Sequence, residues 1–175
     1  MPKPAVVSFE LVSSELYVGV DPGLSGALVC LSDRSIIACT KTPITERDIL
    51  DWFKQFPLGT PALIEWINPG YRGSGKSSMS KLYGSYKELR MALTASDMSW
   101  QDVKPGEWQQ GLRIPPKTKA EKENQNKWKN KLKGKAQQLF PQEKVTLATA
   151  DALLIAEYCR RTHRRVEEEK FTVSS

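Results

Sequence analysis

Tyr17-Val18-Gly19-Val20-Asp21-Pro22-Gly23-Leu24-Ser25-Gly26-Ala27-Leu28-Val29 is an apolar run that ends on a carboxylate, turns through Pro and Gly, and resumes as an apolar run. Asp is poor strand material, and Pro-Gly followed by Ser-Gly supplies a tight connection. Tyr17–Asp21 and Ala27–Ser32 therefore read as hairpin-paired strands, with a lone acid held at the tip of the first. Taken alone, the segment also reads as an ordinary hairpin with a solvated Asp.

Outward from this hairpin, Ser35–Thr42 is a third β-type run. Glu46–Phe56 follows with Ile49, Leu50, Trp52 and Phe53 at helical spacing. Pro61 opens the short apolar run Ala62-Leu63-Ile64-Glu65-Trp66-Ile67, again interrupted by one acid, and leads into the Gly-rich stretch Asn68–Ser77. Met79, Leu82, Tyr83, Tyr86, Leu89 and Leu93 then mark one face of a helix. Trp100–Val103 reads as a short strand before Lys104-Pro105, and Ala150–Arg161 as a final helix. The expected order is β-β-β-α-β-α-β-α-α, with no internal repeats.

The 175 residues, 39% hydrophobic, suit one globular domain with a sizeable core. Residues 1–15 read as an N-terminal extension, 16–162 as the folded domain, and 163–175 as a flexible charged tail that frays from Thr162. No run approaches the length of a membrane span and Met1–Ser8 lacks a secretion signal, so the expectation is a cytoplasmic protein. Cys30, Cys39 and Cys159 sit in apolar segments without metal-ligand spacing, as reduced, buried thiols would. The single histidine, His163, lies in the basic tail, which argues against a histidine triad or zinc site.

The net charge is +6, and its placement is informative. Residues 104–135 carry ten Lys or Arg against Glu107, Glu121 and Glu123, a net +7, so the remainder sums to −1. A positive field concentrated on one segment suits a surface that neutralises phosphates; a solvated helix face is the alternative. Arg113, Lys117, Lys119, Lys127, Lys129 and Lys131 are the candidate phosphate contacts here. Trp108 and Trp128, interleaved with them, are candidates either for stacking on bases or for anchoring a helix to the core.

Gly70-Tyr71-Arg72-Gly73-Ser74-Gly75-Lys76-Ser77 satisfies G-x-x-x-x-G-K-[ST] between an apolar run and a helix, the context of a nucleotide-binding P-loop. Against that reading, four elements precede it and no later apolar strand ends in an Asp to hold magnesium. The same stretch makes sense as a loop following a nucleic-acid backbone, with Tyr71, Arg72, Lys76, Ser77 and Ser78, and Lys81 beyond, as DNA contacts.

Three acids stand in apolar company: Asp21, Glu65, and Asp151 within Thr149-Ala150-Asp151-Ala152-Leu153-Leu154-Ile155-Ala156. Burying unpaired carboxylates costs several kcal/mol, roughly, so such residues cluster around cations or basic partners. If they converge, they form an all-oxygen site suited to Mg2+ or Mn2+, which activate water for phosphodiester cleavage. Three unrelated capping or salt-bridged acids are the alternative.

At these residues the sequence resembles the RuvC-type Holliday-junction resolvases, especially small phage-like and bacterial members. Four strings carry the match: Val18-Gly19-Val20-Asp21-Pro22-Gly23 with Ser25-Gly26-Ala27; Leu63-Ile64-Glu65; Ser77–Leu93 with Tyr83-Gly84-Ser85-Tyr86; and Ala150-Asp151-Ala152-Leu153-Leu154-Ile155-Ala156. Val103-Lys104-Pro105 with Trp108, and Leu139-Phe140-Pro141, resemble further family strings. The likeness spans about residues 16 to 160, and the order and spacing of the strings are its specific part.

The resemblance implies an α/β, ribonuclease-H-like fold, a mixed five-stranded sheet with three antiparallel strands first, flanked by helices. It also implies a homodimer that cuts opposite strands of a four-way DNA junction, leaving 5′-phosphates. Asp21, Glu65 and Asp151 match the family's metal-binding and catalytic carboxylates, which implies two Mg2+ ions per site, with Mn2+ able to substitute. The family's further acid or histidine near the last Asp is missing: this chain has Thr146-Leu147-Ala148-Thr149, and Ala148 binds no metal. Glu143, Glu157 or Lys144 are candidate substitutes; otherwise three carboxylates suffice, or the protein binds junctions and cuts slowly. Trp66 and Tyr71 are candidates for an aromatic that wedges into the junction. A junction-binding protein without catalysis and a P-loop NTPase are the competing classes. An actin-like ATPase shares the Gly-Val-Asp-x-Gly opening but needs two lobes.

Overall fold

The computed structural model describes residues 15–23, 25–33, 35–69 and 76–173, and of Lys76 and residues 167–173 the backbone only. Five strands form one sheet: β1 (Tyr17–Asp21), β2 (Ala27–Leu31), β3 (Ile36–Lys41), β4 (Pro61–Glu65) and β5 (Ser99–Val103), in the order β3-β2-β1-β4-β5. The first three are antiparallel neighbours, whereas β4 runs parallel to both β1 and β5. This is the mixed α/β architecture that the resemblance implies, and its first two strands are the hairpin read around Asp21.

Side chains alternate across a sheet, so each face gathers its own core. Tyr17, Ala27, Val29, Leu31, Leu63 and Val103 face three helices, α3 (Pro105–Gly111), α5 (Gln125–Leu139) and α6 (Ala150–Val173). Val18, Val20, Leu28, Cys30, Ala62 and Ile64 face the other way, onto α1 (Glu46–Lys54) and α2 (Lys76–Ala95). Thr45 caps α1 by accepting from the Asp48 N–H at 3.1 Å, and Ile49 and Phe53 point inward from it. On α2, Tyr86, Leu89, Ala92 and Leu93 are buried, whereas Met79, Leu82 and Tyr83 are half-buried.

The basic region differs from expectation, since Pro105–Leu139 is three helices. Pro105 opens α3, and Arg113 at φ 56° with Pro115-Pro116 ends that helical path. Thr118 and Glu121 then close a reciprocal capping box on the short α4 (Lys119–Glu123), and Asn124 breaks to α5, accepting from the Asn126 N–H. The final helix also continues past Arg161 to Val173. Glu157 pairs with Arg160 and Arg161, and Asp33 on the β2–β3 turn draws in Arg160 and Arg164, so charged residues support this part of the helix.

All three cysteines are free. Cys30 and Cys159 are buried as expected, but Cys39 is exposed on β3, the edge strand of the sheet among the described residues.

Candidate active site

Asp21 and Glu65 end adjacent parallel strands. Val20 of β1 pairs with Ile64 of β4, so one step further brings the two acids side by side, on the face that α6 covers. The turn after Asp21 is built tightly. Gly23 takes φ 125°, a conformation open to glycine, and its N–H donates to Ser85 Oγ at 3.3 Å. A β-carbon on Gly26 would collide with the Asp21 carbonyl oxygen.

Asp151 comes from the first turn of α6, where a carboxylate is favoured by the helix dipole. That turn starts on Thr146 and Thr149, whose hydroxyls lie 3.0 Å apart and accept from each other's backbone N–H at 3.2 Å. The string where the resemblance wants another acid is thus a hydrogen-bonded helix start, with Ala148 half-buried in it. What brings α6 within reach of β1 is Gly19. A β-carbon there would strike the Ala152 carbonyl and the Ala156 backbone, so the strand and helix meet almost backbone to backbone.

The three acids influence one another electrostatically. Burial, then Asp151, then Glu65 raise Asp21 well above the usual carboxylate range, while Lys129 opposes the shift. Burial pushes Glu65 up to about 7, and Asp151 adds to the rise; the Trp108 hydrogen bond, Lys129 and Lys117 counteract. Trp108 is buried on α3 and donates its indole N–H to Glu65 Oε2 at 2.9 Å. Asp151, 5% exposed, accepts from the Lys129 ammonium through Oδ2, and its Oδ1 is buried with no hydrogen-bond partner. Burial lowers the Lys129 ammonium, but Asp151, Asp21 and Glu65 together hold it above its ordinary value.

An all-carboxylate donor set with an orphaned buried oxygen fits a hard divalent cation. The acids are not drawn into a tight ligand cluster: among the described residues, no three His, Cys, Asp or Glu side chains are gathered that way. An ammonium stands among them instead.

The other sequence candidates divide into groups. Tyr71 and Arg72, and most of the Gly70–Ser77 string, lie outside the described residues, and Lys76 opens α2. Ser77, Ser78 and Lys81 are exposed on the first turns of α2, and Lys119 and Lys127 are exposed on α4 and α5. Arg113 is exposed beside an open groove of about 620 Å³ lined by Gly106, Gln109, Gln110 and Pro116. Lys117 and Lys131 flank the buried Trp128 ring, 5.1 and 5.2 Å from its centre, and Lys131 also pairs with Glu121 at 3.1 Å.

Lys129, half-exposed, turns to the buried Asp151 carboxylate. Neither Trp108 nor Trp128 is free to stack on bases, because both are buried. Trp66 is half-buried against the core, with Lys104 Nζ 6.0 Å from its ring. The candidate fourth-ligand positions stand apart from the three acids. Glu157 is buried between Arg160 and Arg161, and Glu143 lies toward Cys39. Among the described residues, no helix is long and apolar enough to cross a membrane.

No protein-family model matches the sequence, and no curated protein matches it. Solved structures do. Thermus thermophilus RuvC in complex with Holliday junction substrate superposes with a TM-score of 0.59 at 13% identity, covering 85% of this chain and 96% of that one. The structure described as Thermus thermophilus RuvC gives 0.58 at 12% identity, with coverage of 85% and 96%. At such identities the likeness is one of architecture, and on it the chain has the ribonuclease-H-like fold of RuvC.

Proposed function

We propose that this chain is a divalent-metal-dependent endonuclease that resolves four-way DNA junctions by paired nicks, acting as a homodimer in the cytoplasm. The observation that carries the reading is that Asp21, Glu65 and Asp151, at the ends of β1 and β4 and in the first turn of α6, lie close enough to shift one another's charge, in a fold shared with a protein solved on a Holliday junction. Exposed Ser77, Ser78, Lys81, Arg113, Lys119 and Lys127 are then the phosphate contacts, with Tyr71 and Arg72 as further candidates.

Asp21, the open oxygen of Glu65 and Oδ1 of Asp151 would hold Mg2+ or Mn2+. The metal would supply an activated water and charge stabilisation at the phosphodiester. Water adds across the phosphorus–O3′ bond, giving a 5′-phosphate and a 3′-hydroxyl. Trp108 fixes one Glu65 oxygen, which leaves the other for a ligand and keeps the carboxylate from turning.

The test is a labelled, mobile four-way junction with Mg2+, comparing the wild type with Asp21→Asn. Symmetric, ligatable nicks lost in the variant, with junction binding kept, are expected. Ala148 favours a second reading, a junction-binding protein with an incomplete site. Tight binding without nicks in either Mg2+ or Mn2+ would establish it.

A further inference from the structure

We infer that the open groove on the outward side of α3 is a nucleotide subsite: it takes one unstacked nucleotide of the junction strand near the cut, with Arg113 on the phosphate and Gln109 and Gln110 on the edge of the base. The inference rests on the nuclease reading above and deepens it, since it concerns how the strand is held.

Placement is the first support. Gly106, Gln109 and Gln110 share one side of α3 at i, i+3 and i+4 and line the groove, with Arg113 just past the helix end. Trp108 and Leu112, four residues apart, face inward and are buried, and from that inward side Trp108 donates to Glu65. One short helix thus separates the groove from the carboxylates. A helix is about 10–12 Å across with its side chains, so a strand held at Glu65 reaches the groove within a few nucleotides.

The lining suits a nucleotide. Its polar side chains are one guanidinium and two carboxamides, and among the described residues no carboxylate lines it. A guanidinium grips phosphate through two parallel N–H bonds, and a carboxamide donates and accepts together, as a base edge requires. Pro115 and Pro116 offer flat apolar rings to the face of the base. The groove's volume of about 620 Å³ falls in the range of about 300–1,000 Å³ that small-ligand sites occupy. It is also held in shape, because Ile114 is buried and the Pro115 carbonyl accepts from Lys131 at 3.4 Å.

An independent observation comes from the backbone of Arg113. The Ile114 N–H donates to the Gln109 carbonyl at 2.8 Å and the Arg113 N–H to the Gln110 carbonyl at 2.9 Å, the Schellman ending of a helix. That ending requires its next-to-last residue to turn left-handed, and Arg113 does so at φ 56°. Glycine usually fills this place, because a β-carbon is strained there. Strain of this kind persists at positions that hold ligands, and here it sets a guanidinium on the groove. Gly106 is the converse. A β-carbon there would meet nothing within 4 Å, so a side chain would fit, and its absence keeps the groove open.

The test uses the full chain in EDTA, where binding is read without cleavage, and a four-way junction carrying an abasic site at each core position in turn. Nicking of the intact junction with Mg2+ is measured in parallel. One abasic position should weaken wild-type binding by about tenfold, the scale of a single base contact. Gly106→Phe, which fills the groove, and the double variant Gln109→Ala with Gln110→Ala should bind the intact junction more weakly by a similar factor and lose the abasic effect. Arg113→Gly should bind more weakly yet unfold at a higher urea concentration, because it relieves the left-handed turn; a residue with a structural role alone would lower both. No abasic position costing the wild type more than about twofold, or the same abasic penalty in Gly106→Phe as in the wild type, would overturn the inference. If Gly106→Phe does not fold by circular dichroism, the double variant decides. Nicking without an abasic effect would sink the subsite and leave the nuclease reading; an abasic effect without nicking would do the reverse, and no junction binding at all would end both.

Discussion

Gly19 of β1 lies directly against Ala156 of α6, with the Ala156 Cα only 2.8 Å from where a β-carbon on the glycine would be. The obstructing atoms are backbone and cannot rotate aside. Gly19→Ala therefore lifts α6 off the sheet, and with it separates Asp151 from Asp21. The expected loss is about 3 kcal/mol of stability, read as a shift in urea midpoint, with junction cleavage falling in the protein that remains folded. An unchanged midpoint would mean the helix does not sit this close.

Trp108→Phe removes the N–H that holds Glu65 and keeps most of the apolar ring. Partners that orient a metal ligand are worth about 10- to 100-fold in affinity or activity. Mn2+ affinity is expected to fall by that order, with far-UV circular dichroism unchanged. Full affinity in the variant would reduce the hydrogen bond to packing.

The raised carboxyls set the sign of a pH effect. Burial pushes Glu65 up to about 7 in the folded protein, from 4.5 for an ordinary glutamate, so between these values the folded state holds the extra proton. Stability from this group is present at low pH and declines as pH rises toward 7. In EDTA, the melting temperature of the wild type relative to Glu65→Gln should drop between roughly pH 5 and pH 7.5, and Mg2+ should restore more of it at the higher value. A flat difference would show that the carboxyl is ionised throughout.

Lysines of α5 should separate in salt titrations of junction binding. Lys127 is exposed on α5, so Lys127→Ala should reduce the log–log salt slope by about 0.9. Lys131, held by Glu121 and the Trp128 ring, should change the slope less and the thermal stability more. Equal slopes in the two variants would mean that Lys131 leaves its partners to reach phosphate.

How far these features can be read from sequence differs residue by residue. The strand tip at Asp21 is legible because Pro22 and Gly23 stop the strand locally, and Glu65 and Asp151 because a carboxylate in an apolar run has no cheap solvated position. Lys129 is not legible. It is one of ten basic residues in its segment, and only the packing of Trp128, Leu132 and Ala136 decides which way its helix face points. Trp108 is readable as buried or as stacking, and its bond to Glu65 depends on a contact 43 residues away that no local pattern encodes. The division of the basic region into three helices was encoded locally, in the Thr118-x-x-Glu121 capping box, which the density of lysines obscures.

The site draws on the first described strand and on the last described helix, since Asp21 ends β1 and Asp151 lies in the first turn of α6. Nearly the whole domain must leave the ribosome before these two side chains can come together, and bringing them together closes a loop that spans most of the fold. An unfinished chain, or a fragment cut before α6, carries Asp21 and Glu65 and lacks both Asp151 and the helix that buries them. Whatever the site does to its substrate, it does only once α6 has been made, so the order of the elements along the chain is itself a safeguard.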